Sequence, residues 1–423
     1  VYKRQALIQM PVHFLLSGNL TPGKAMLMVH LSTRRSFLST ATALFAASGA
    51  AATPKSTWKV GIIGHTGRGN YGHGLDTVWL KLPATKIVAV ADADPTGLAR
   101  AKMRLGIERG YPSYEQMLED EQLDIVAVCP RHLDQHHAMV MASIRAGVKG
   151  IYVEKPFVRT PREADEIIDA GQSQKVKIAI AHRNRYHPVL PAIDRFLAAG
   201  QLGKILEIRG RGKGDHRGGG EDLWVLGSHV LNLMHYFGGD PKSCSAIMLQ
   251  DGRPVTAADV VDGNEGLGPL AGNELHARFE MAGGPIAYFD SIANDGSGGA
   301  GFGLQLIGTK GIINLQCDQN PLAHFIPGNP FQPTDTPRPW LPLTTAGVGE
   351  PETRSDLIRA VANHQAAAND LIDAIEQDRA PRCDQQQGAT TVEMICGVFE
   401  SHCLGGATVT LPLSERDQPL SRL

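Results

Sequence analysis

From Lys59 onward the chain alternates short apolar runs with longer segments whose apolar residues recur at helical spacing. The runs KVGIIG, KIVAVADAD (86–94), LDIVAVCP (123–130), KGIYVEKP (149–156) and VKIAIAH (176–182) predict five strands. The segments between them, such as DPTGLARAKMRLG and TPREADEIIDAGQSQ, predict helices. Near-continuous β-branched runs between helices belong to strands buried on both faces. The expected fold over 59–182 is therefore an α/β domain of Rossmann type, a doubly wound parallel sheet.

The pattern changes after Tyr186. A helix over 188–203 is expected to lead into the strand KILEIRGRGKGD, a glycine-rich loop at 218–220 and a second helix, SHVLNLMHYFGG. ELHARFEM, PIAYFDSIAND and GFGLQLIGTKGIINL then alternate apolar and polar positions in hairpin order, with Gly283 and Gly284 at a turn. Consecutive strands without helices between them imply an α+β domain over 183–413 with a large open, mostly antiparallel sheet. Residues 320–352, rich in Pro, Thr and Gly, read as a long surface loop. Helices near 364–378 and 387–404 and a final strand, ATVTLPL, complete the chain.

Charge narrows the range of partners. Lys plus Arg (41) nearly equals Asp plus Glu (43), without long like-charge runs, which argues against a nucleic-acid groove or a polybasic membrane patch. The six cysteines are scattered, with no CxxC pair and no zinc-like spacing, so no metal is expected. Residues 28–52 carry the paired Arg34 and Arg35, a short apolar stretch and a small-residue end, which is the layout of a twin-arginine export signal. That stretch is too short to span a membrane, and a periplasmic or otherwise exported location is expected. Residues 1–27 start at Val1 and show no periodicity; they are expected to be a non-native leader.

The stretch KVGIIGHTGRGNYGHG follows the first strand and holds six glycines. A glycine-rich loop alone is as often a turn as a ligand site. Here a strand precedes it and an acid, Asp92, ends the next strand, which is the arrangement that binds a dinucleotide. Gly64, Thr66, Gly67, Arg68 and Gly69 are expected to meet the pyrophosphate at a helix N-terminus, with Thr66 in the usual second-glycine place. Asp92 is expected to accept from a ribose hydroxyl and to repel a 2′-phosphate, favouring NAD over NADP.

Three further stretches carry chemistry. Lys155 ends a strand just before Pro156, at the sheet edge where ligands bind, though an exposed turn lysine would look the same. If the helix starts near Ser228, His229 lies in its first turn with Asn232 and Tyr236 on one face, and it could serve as a general base or as a locally satisfied histidine. Arg183, Arg185 and Tyr186, at the domain junction, would line a cleft or pack an interface.

Taken together, the glycine loop, VAVAD, CPRHLDQHH, VEKP, NRYHP, GSHVLNLMHYFGGDP and LIGTKGIINL resemble the glucose-fructose oxidoreductase / inositol dehydrogenase (Gfo/Idh/MocA) family. The resemblance implies that Lys155 orients substrate and nicotinamide and that His229 takes the hydroxyl proton while hydride leaves the same carbon for NAD. It also places Pro130, His136 and Glu154 on the cofactor, Arg183, Arg185, Tyr186 and Asn232 on a sugar or polyol, and the protein in a homodimer or homotetramer. One position departs: the family often has Asp four residues before its histidine, where this chain has Val225. Two alternatives stay open, an NAD-dependent glycoside hydrolase or lyase with transient oxidation, and a non-catalytic binder of cofactor or sugar.

Overall fold

All five apolar runs form strands in the computed structural model, which describes residues 57–297 and 301–423. The expected leader (1–27) and export signal (28–52) lie outside the described residues. The first half comprises β1 (Trp58–Ile63), β2 (Thr85–Ala91), α1 (Pro95–Leu105), β3 (Gly110–Tyr111), α2 (Tyr114–Asp120), β4 (Ile125–Val128), α3 (His136–Arg145), β5 (Gly150–Val153), α4 (Pro161–Gln174) and β6 (Lys177–Ile180). Every residue of β4 and β5 is buried, as runs without polar alternation require. The sheet runs β3-β2-β1-β4-β5-β6 with all neighbours parallel, so the strand order reverses between β1 and β4. β3 has two residues, too short to appear as an apolar run. Local chemistry sets the helix ends. Asp94 caps α1 by accepting from Gly97 N–H at 2.5 Å, and Gly106, at φ 66°, ends it in the left-handed conformation.

The glycine loop departs from expectation. No α-helix follows β1; residues 64–77 form successive turns before a short 3₁₀ turn at Val78–Lys81. Gly67, Gly69 and Gly72 sit at φ 83°, 84° and 61°, which interrupts any right-handed helix. The loop is instead pinned by a His65–Asn70 bridge, so it offers main-chain groups without a helix end behind them.

The second half begins with α5 (Val189–Ala198) and β7 (Ile205–Arg211). α6 (Gly220–Asp222) then passes through a π-helical turn, Leu223–Gly227, into α7 (Ser228–Gly238). The helical run thus starts upstream of Ser228, and His229 lies well inside it. β8 (Pro241–Gln250), β9 (Arg253–Pro254), the ribbon β10 (Val261–Gly263) and β11 (Gly268–Leu270), β12 (Glu274–Met281), β13 (Ile286–Ile292), β14 (Gly303–Gly308) and β15 (Gly311–Gln316) follow. β16 (Ala323–Pro327) and β17 (Leu341–Leu343) fall in the segment expected to be loop, and extend the sheet at one edge. α8 (Ser355–Ala362), α9 (Gln365–Glu376), α10 (Gln385–Cys403) and β18 (Val409–Thr410) end the chain. β8 escapes a sequence reading because PKSCSAIMLQ opens with Pro and small polar residues, yet its pairing with β12 fixes it as a sheet strand.

The large sheet runs β17-β16-β15-β14-β7-β13-β12-β8-β18, with β9 on β8, and β7–β13 is its one parallel pair. One face is covered by α7, whose Met234 and Val230 lie where a Cβ on Gly210 of β7 would fall, at 2.3 and 2.7 Å. The other face is open and carries alternating residues such as Arg209, Tyr288 and His276. The C-terminal helices return to the first sheet: Gly150 of β5 meets Ile375 of α9, and Gly388 of α10 meets Phe157 and Ile180. Arg416 clasps Asp165 of α4 with two 2.8 Å hydrogen bonds. Among the described residues no helix is long and apolar enough to cross a membrane.

Candidate active site

Two hollows open along the carboxyl edge of the parallel sheet. The first is a slot of about 300 Å³ at the ends of β1 and β2, lined by Gly64, His65, Asp92, Tyr114, Asp134 and Met139 among others. It lies beside the point where the strand order reverses, where open α/β sheets bind ligands. Asp92 is buried there and organises the loop. Its Oδ1 accepts from Thr66 N–H at 3.1 Å and Asp94 N–H at 3.0 Å; its Oδ2 accepts from Thr66 Oγ1 and from the Tyr71 hydroxyl, both at 2.7 Å. Burial pushes this carboxyl upward, but these hydrogen bonds outweigh it and hold the group below the usual carboxylate range. The expected ribose acceptor is therefore a charged wall of the slot whose lone pairs are already engaged.

The glycines have separate structural reasons. A Cβ on Gly64 would fall 2.1 Å from the Tyr71 ring, and one on Gly69 would fall 2.2 Å from Arg131 N. Gly67 has nothing within 4 Å and is exposed, free for close approach from outside. Arg68 reaches across to Asp134 at 2.5 Å, and His65 Nδ1 lies 2.5 Å from Gln135 Oε1, so the loop is joined to the start of α3 over the slot. These residues fit a dinucleotide through the exposed Gly67, open to close approach, the carboxylate wall at Asp92 and the apolar floor at Met139, while the N–H groups of Thr66, Gly67 and Arg68 donate to Asp92, Asn70 Oδ1 and the His65 carbonyl.

The second hollow, about 70 Å³, lies at the end of β5 and is lined by His73, Lys155, Arg183, His229, Asp318 and His364, with Glu154 beneath. Lys155 Nζ donates to the carbonyl of Val225 at 3.0 Å. Val225 belongs to the π-helical turn, and so the position where a carboxylate was expected supplies a main-chain oxygen instead. Glu154, fully buried, bonds His73 through Oε1, while its Oε2 has no partner among the described residues. Asp318 pairs with Arg183 at 2.8 Å and accepts from Asn184 Nδ2 at 3.2 Å. His364 Nδ1 lies 2.7 Å from the Tyr152 hydroxyl, and its Nε2 is unpartnered among the described residues.

Burial dominates the electrostatics. It pushes the Lys155 ammonium below its ordinary value, opposed by Glu154. It pushes His229 well down, reinforced by the positive charge of Lys155. His364 is pushed down to about 4 by burial. Glu154 and Asp318 are raised by burial yet end below the carboxylate range, held there by His73 and by Arg183 respectively. The cavity thus presents a neutral histidine beside a cationic lysine, with two carboxylates that stay charged. A neutral imidazole in hydrogen-bond reach of a hydroxyl can take its proton, and a fixed ammonium can orient the same oxygen.

Of the expected site residues, Lys155, His229, Glu154 and Arg183 meet in this cavity. Others are placed elsewhere. Arg185 stacks on Tyr236 at 4.3 Å and donates to Gln387; Asn232 donates to Thr391 of α10 at 3.2 Å; Tyr186 is buried outside the lining. His229, Asn232 and Tyr236 do not converge, because α7 is buried on nearly every side and each side chain meets a different neighbour. His136 is buried with Nε2 at 2.7 Å from the carbonyl of Pro130 and Nδ1 at 3.0 Å from those of Pro156 and Phe157, so it and Pro130 brace the turn behind Lys155. Asp318 and His364 were not singled out. His364 could have been suspected from its place before the helical pattern QAAANDLIDAIE, whereas a lone Asp in QCDQNP gives no signal.

Comparison with known proteins agrees with this fold. Residues 58–182 match the oxidoreductase family with an NAD-binding Rossmann fold, and residues 176–411 match the C-terminal α/β domain of the same Gfo/Idh/MocA family. Levoglucosan dehydrogenase of Pseudarthrobacter phenanthrenivorans is 25% identical over 258 residues, covering 55% of this chain and 65% of that protein. D-apiose dehydrogenase of Paraburkholderia graminis is 29% identical over 192 residues, covering 43% and 51%. The chain therefore matches between half and two-thirds of the length of these curated relatives. A solved levoglucosan dehydrogenase in complex with NADH and levoglucosan superposes with TM-score 0.65 at 18% identity, covering 84% of this chain and all of that one, which establishes the shared fold.

Proposed function

Because this chain belongs to the Gfo/Idh/MocA oxidoreductase family, with its NAD-binding Rossmann fold, we propose that it oxidises a carbinol carbon of a sugar, polyol or sugar derivative. The observation that carries this reading is the convergence of Lys155 and His229 in one cavity on the sheet edge that also holds the slot. NAD supplies the hydride acceptor. Thr66 to Gly69 and the slot walled by Asp92 would hold it, and the fixed negative charge of Asp92 would disfavour a 2′-phosphate. Lys155, anchored by the Val225 carbonyl, orients the substrate oxygen, and His229 takes its proton. Glu154 and Asp318 keep His73 and Arg183 in place around the opening. The substrates of levoglucosan and apiose dehydrogenases, as their names give them, favour the sugar class.

Export through residues 28–52 and assembly into a dimer or tetramer through the open face of the large sheet are parts of the same proposal. A second reading, transient oxidation by a hydrolase or lyase without net NADH, is favoured by the Arg68–Asp134 ion pair, whose carboxylate lines the slot and which would slow cofactor exchange. Incubating the purified protein with NAD and a sugar panel, and following NADH absorbance alongside product analysis, separates the readings. Net NADH supports the dehydrogenase and product without NADH supports the transient cycle. Failure to bind any nicotinamide would overturn both.

A further inference from the structure

Among the described residues the structure puts no carboxylate in hydrogen-bond reach of His229. It puts a second histidine: His182, at the end of β6, has its Nδ1 3.5 Å from Nδ1 of His229, with the rings perpendicular and centroids 5.2 Å apart. Both are buried, at 1% and 5% exposure. Phe302 closes the other side of His229, its ring centroid 6.1 Å away. Val225, where a carboxylate was expected, has an apolar side chain and gives its carbonyl to Lys155.

We propose that His182 is a positioning residue for His229: it accepts the Nδ1–H of His229, and so keeps the Nε2 lone pair of His229 turned to the cavity. The proposal rests on the reading of His229 as the base. A base needs that tautomer, since a proton on Nε2 would block the transfer. The 3.5 Å separation is long, as such bonds often are before substrate binds.

The groups facing the pair explain why a neutral partner is used. Lys155 acts on both histidines; His73 and Arg183 also face His229, while Glu154 and Arg185 face His182. Burial, then Lys155, pushes His182 down to about 3, so it accepts a hydrogen bond but takes no proton. The substrate proton therefore stops on His229 Nε2, and the imidazolium is not backed by a negative charge. A base of this kind stays deprotonated to lower pH than one backed by a carboxylate.

Two measurements decide the matter. Nitrogen-15 NMR of the histidine-labelled protein without cofactor should show His229 as the Nδ1–H tautomer, and His182→Phe should convert it to a mixture. An Nε2–H tautomer in the native protein, or no change in the Phe variant, would overturn the proposal. In the pH profile of kcat/KM with NAD and sugar, His182→Asp should move the acidic limb up by about one to two units, because an adjacent opposite charge favours the protonated histidine. His182→Phe should lower kcat about 100-fold. His182→Asn, whose amide oxygen can accept from Nδ1–H, should restore most of that loss. An acidic limb unmoved by Asp, or an Asn variant as impaired as Phe, would refute the assignment. If the native protein oxidises no sugar while the tautomer behaves as stated, the functional reading fails and the positioning of His229 stands.

Discussion

The slot at the ends of β1 and β2 and the cavity at the end of β5 share one sheet edge but are assembled differently. The slot draws its lining from residues between Gly64 and Met139, within one domain; the cavity draws on residues from His73 to His364. The slot is organised by hydrogen bonds to one carboxylate, Asp92, with glycines where backbones or rings come close. The cavity is organised by burial, which keeps its histidines neutral and lowers its lysine. Local chain chemistry suffices to shape the slot, whereas setting the protonation states of buried histidines and a lysine needs walls from several elements that exclude water.

The sharpest break in that comparison is Lys155→Met. Turnover should fall about 1,000-fold while nicotinamide binding, followed by fluorescence titration, changes little, because the slot is untouched. Comparable losses in both would mean that the two hollows are one unit.

Acid should next unfold the cavity side first. His182, His187 and His364 are buried and pushed by that burial from 6.5 down to about 3, 4 and 4. Below pH 6.5 the unfolded chain binds protons that these folded groups refuse, so stability present above 6.5 is lost as pH falls toward 4. Each histidine contributes about 1.4 kcal/mol per pH unit over that window. Denaturant melts at pH 7.5, 6 and 5 test this, and a His364→Phe protein with the same pH slope as the native one would contradict it.

Within the slot, Gly69→Ala should cost about 2–4 kcal/mol, from strain at φ 84° plus a clash with Arg131 N. Gly67→Ala, with open space around it, should cost about 1 kcal/mol at φ 83°. Equal costs would show that the loop does not pack as described. Tyr71→Phe, which removes one donor to Asp92, should cost about 1–2 kcal/mol and weaken nicotinamide binding, measured by thermal melts with and without NAD. The smallest effect belongs to the surface: Glu265→Gln breaks a part-exposed pair with Arg131 at 3.2 Å and should change stability by at most about 0.5 kcal/mol.

Much of the slot could be read from the chain. A strand run, a glycine loop and an acid at the next strand's end are near in sequence and carry their own periodicity. What could not be read is that the loop continues as turns, because several closely spaced glycines permit left-handed φ without revealing which residues use it. Lys155 and His229 were legible through their motifs. Arg185, Tyr186 and Asn232 were read as substrate contacts from the same kind of signal, yet none of them lines the cavity: Arg185 meets Tyr236 and Gln387 and Asn232 meets Thr391, since facing directions depend on the partner helix. Asp318 and His364 carried little signal of their own. β8 and β16 were missed because their apolar positions are diluted by small residues and proline, so cross-strand pairing fixes them where propensity does not.

By itself, then, the sequence determined the doubly wound sheet, its mostly antiparallel companion, the glycine loop after β1 and the lysine at the end of β5, because burial on two faces and turn chemistry leave periodic local marks. Only the tertiary structure decided that Asp92 closes its own loop, that a π-helical turn hands the Val225 carbonyl to Lys155, and that His182 rather than a carboxylate stands behind His229. Those are contacts between residues 26, 70 and 47 positions apart, and the water they exclude sets the charge of each group.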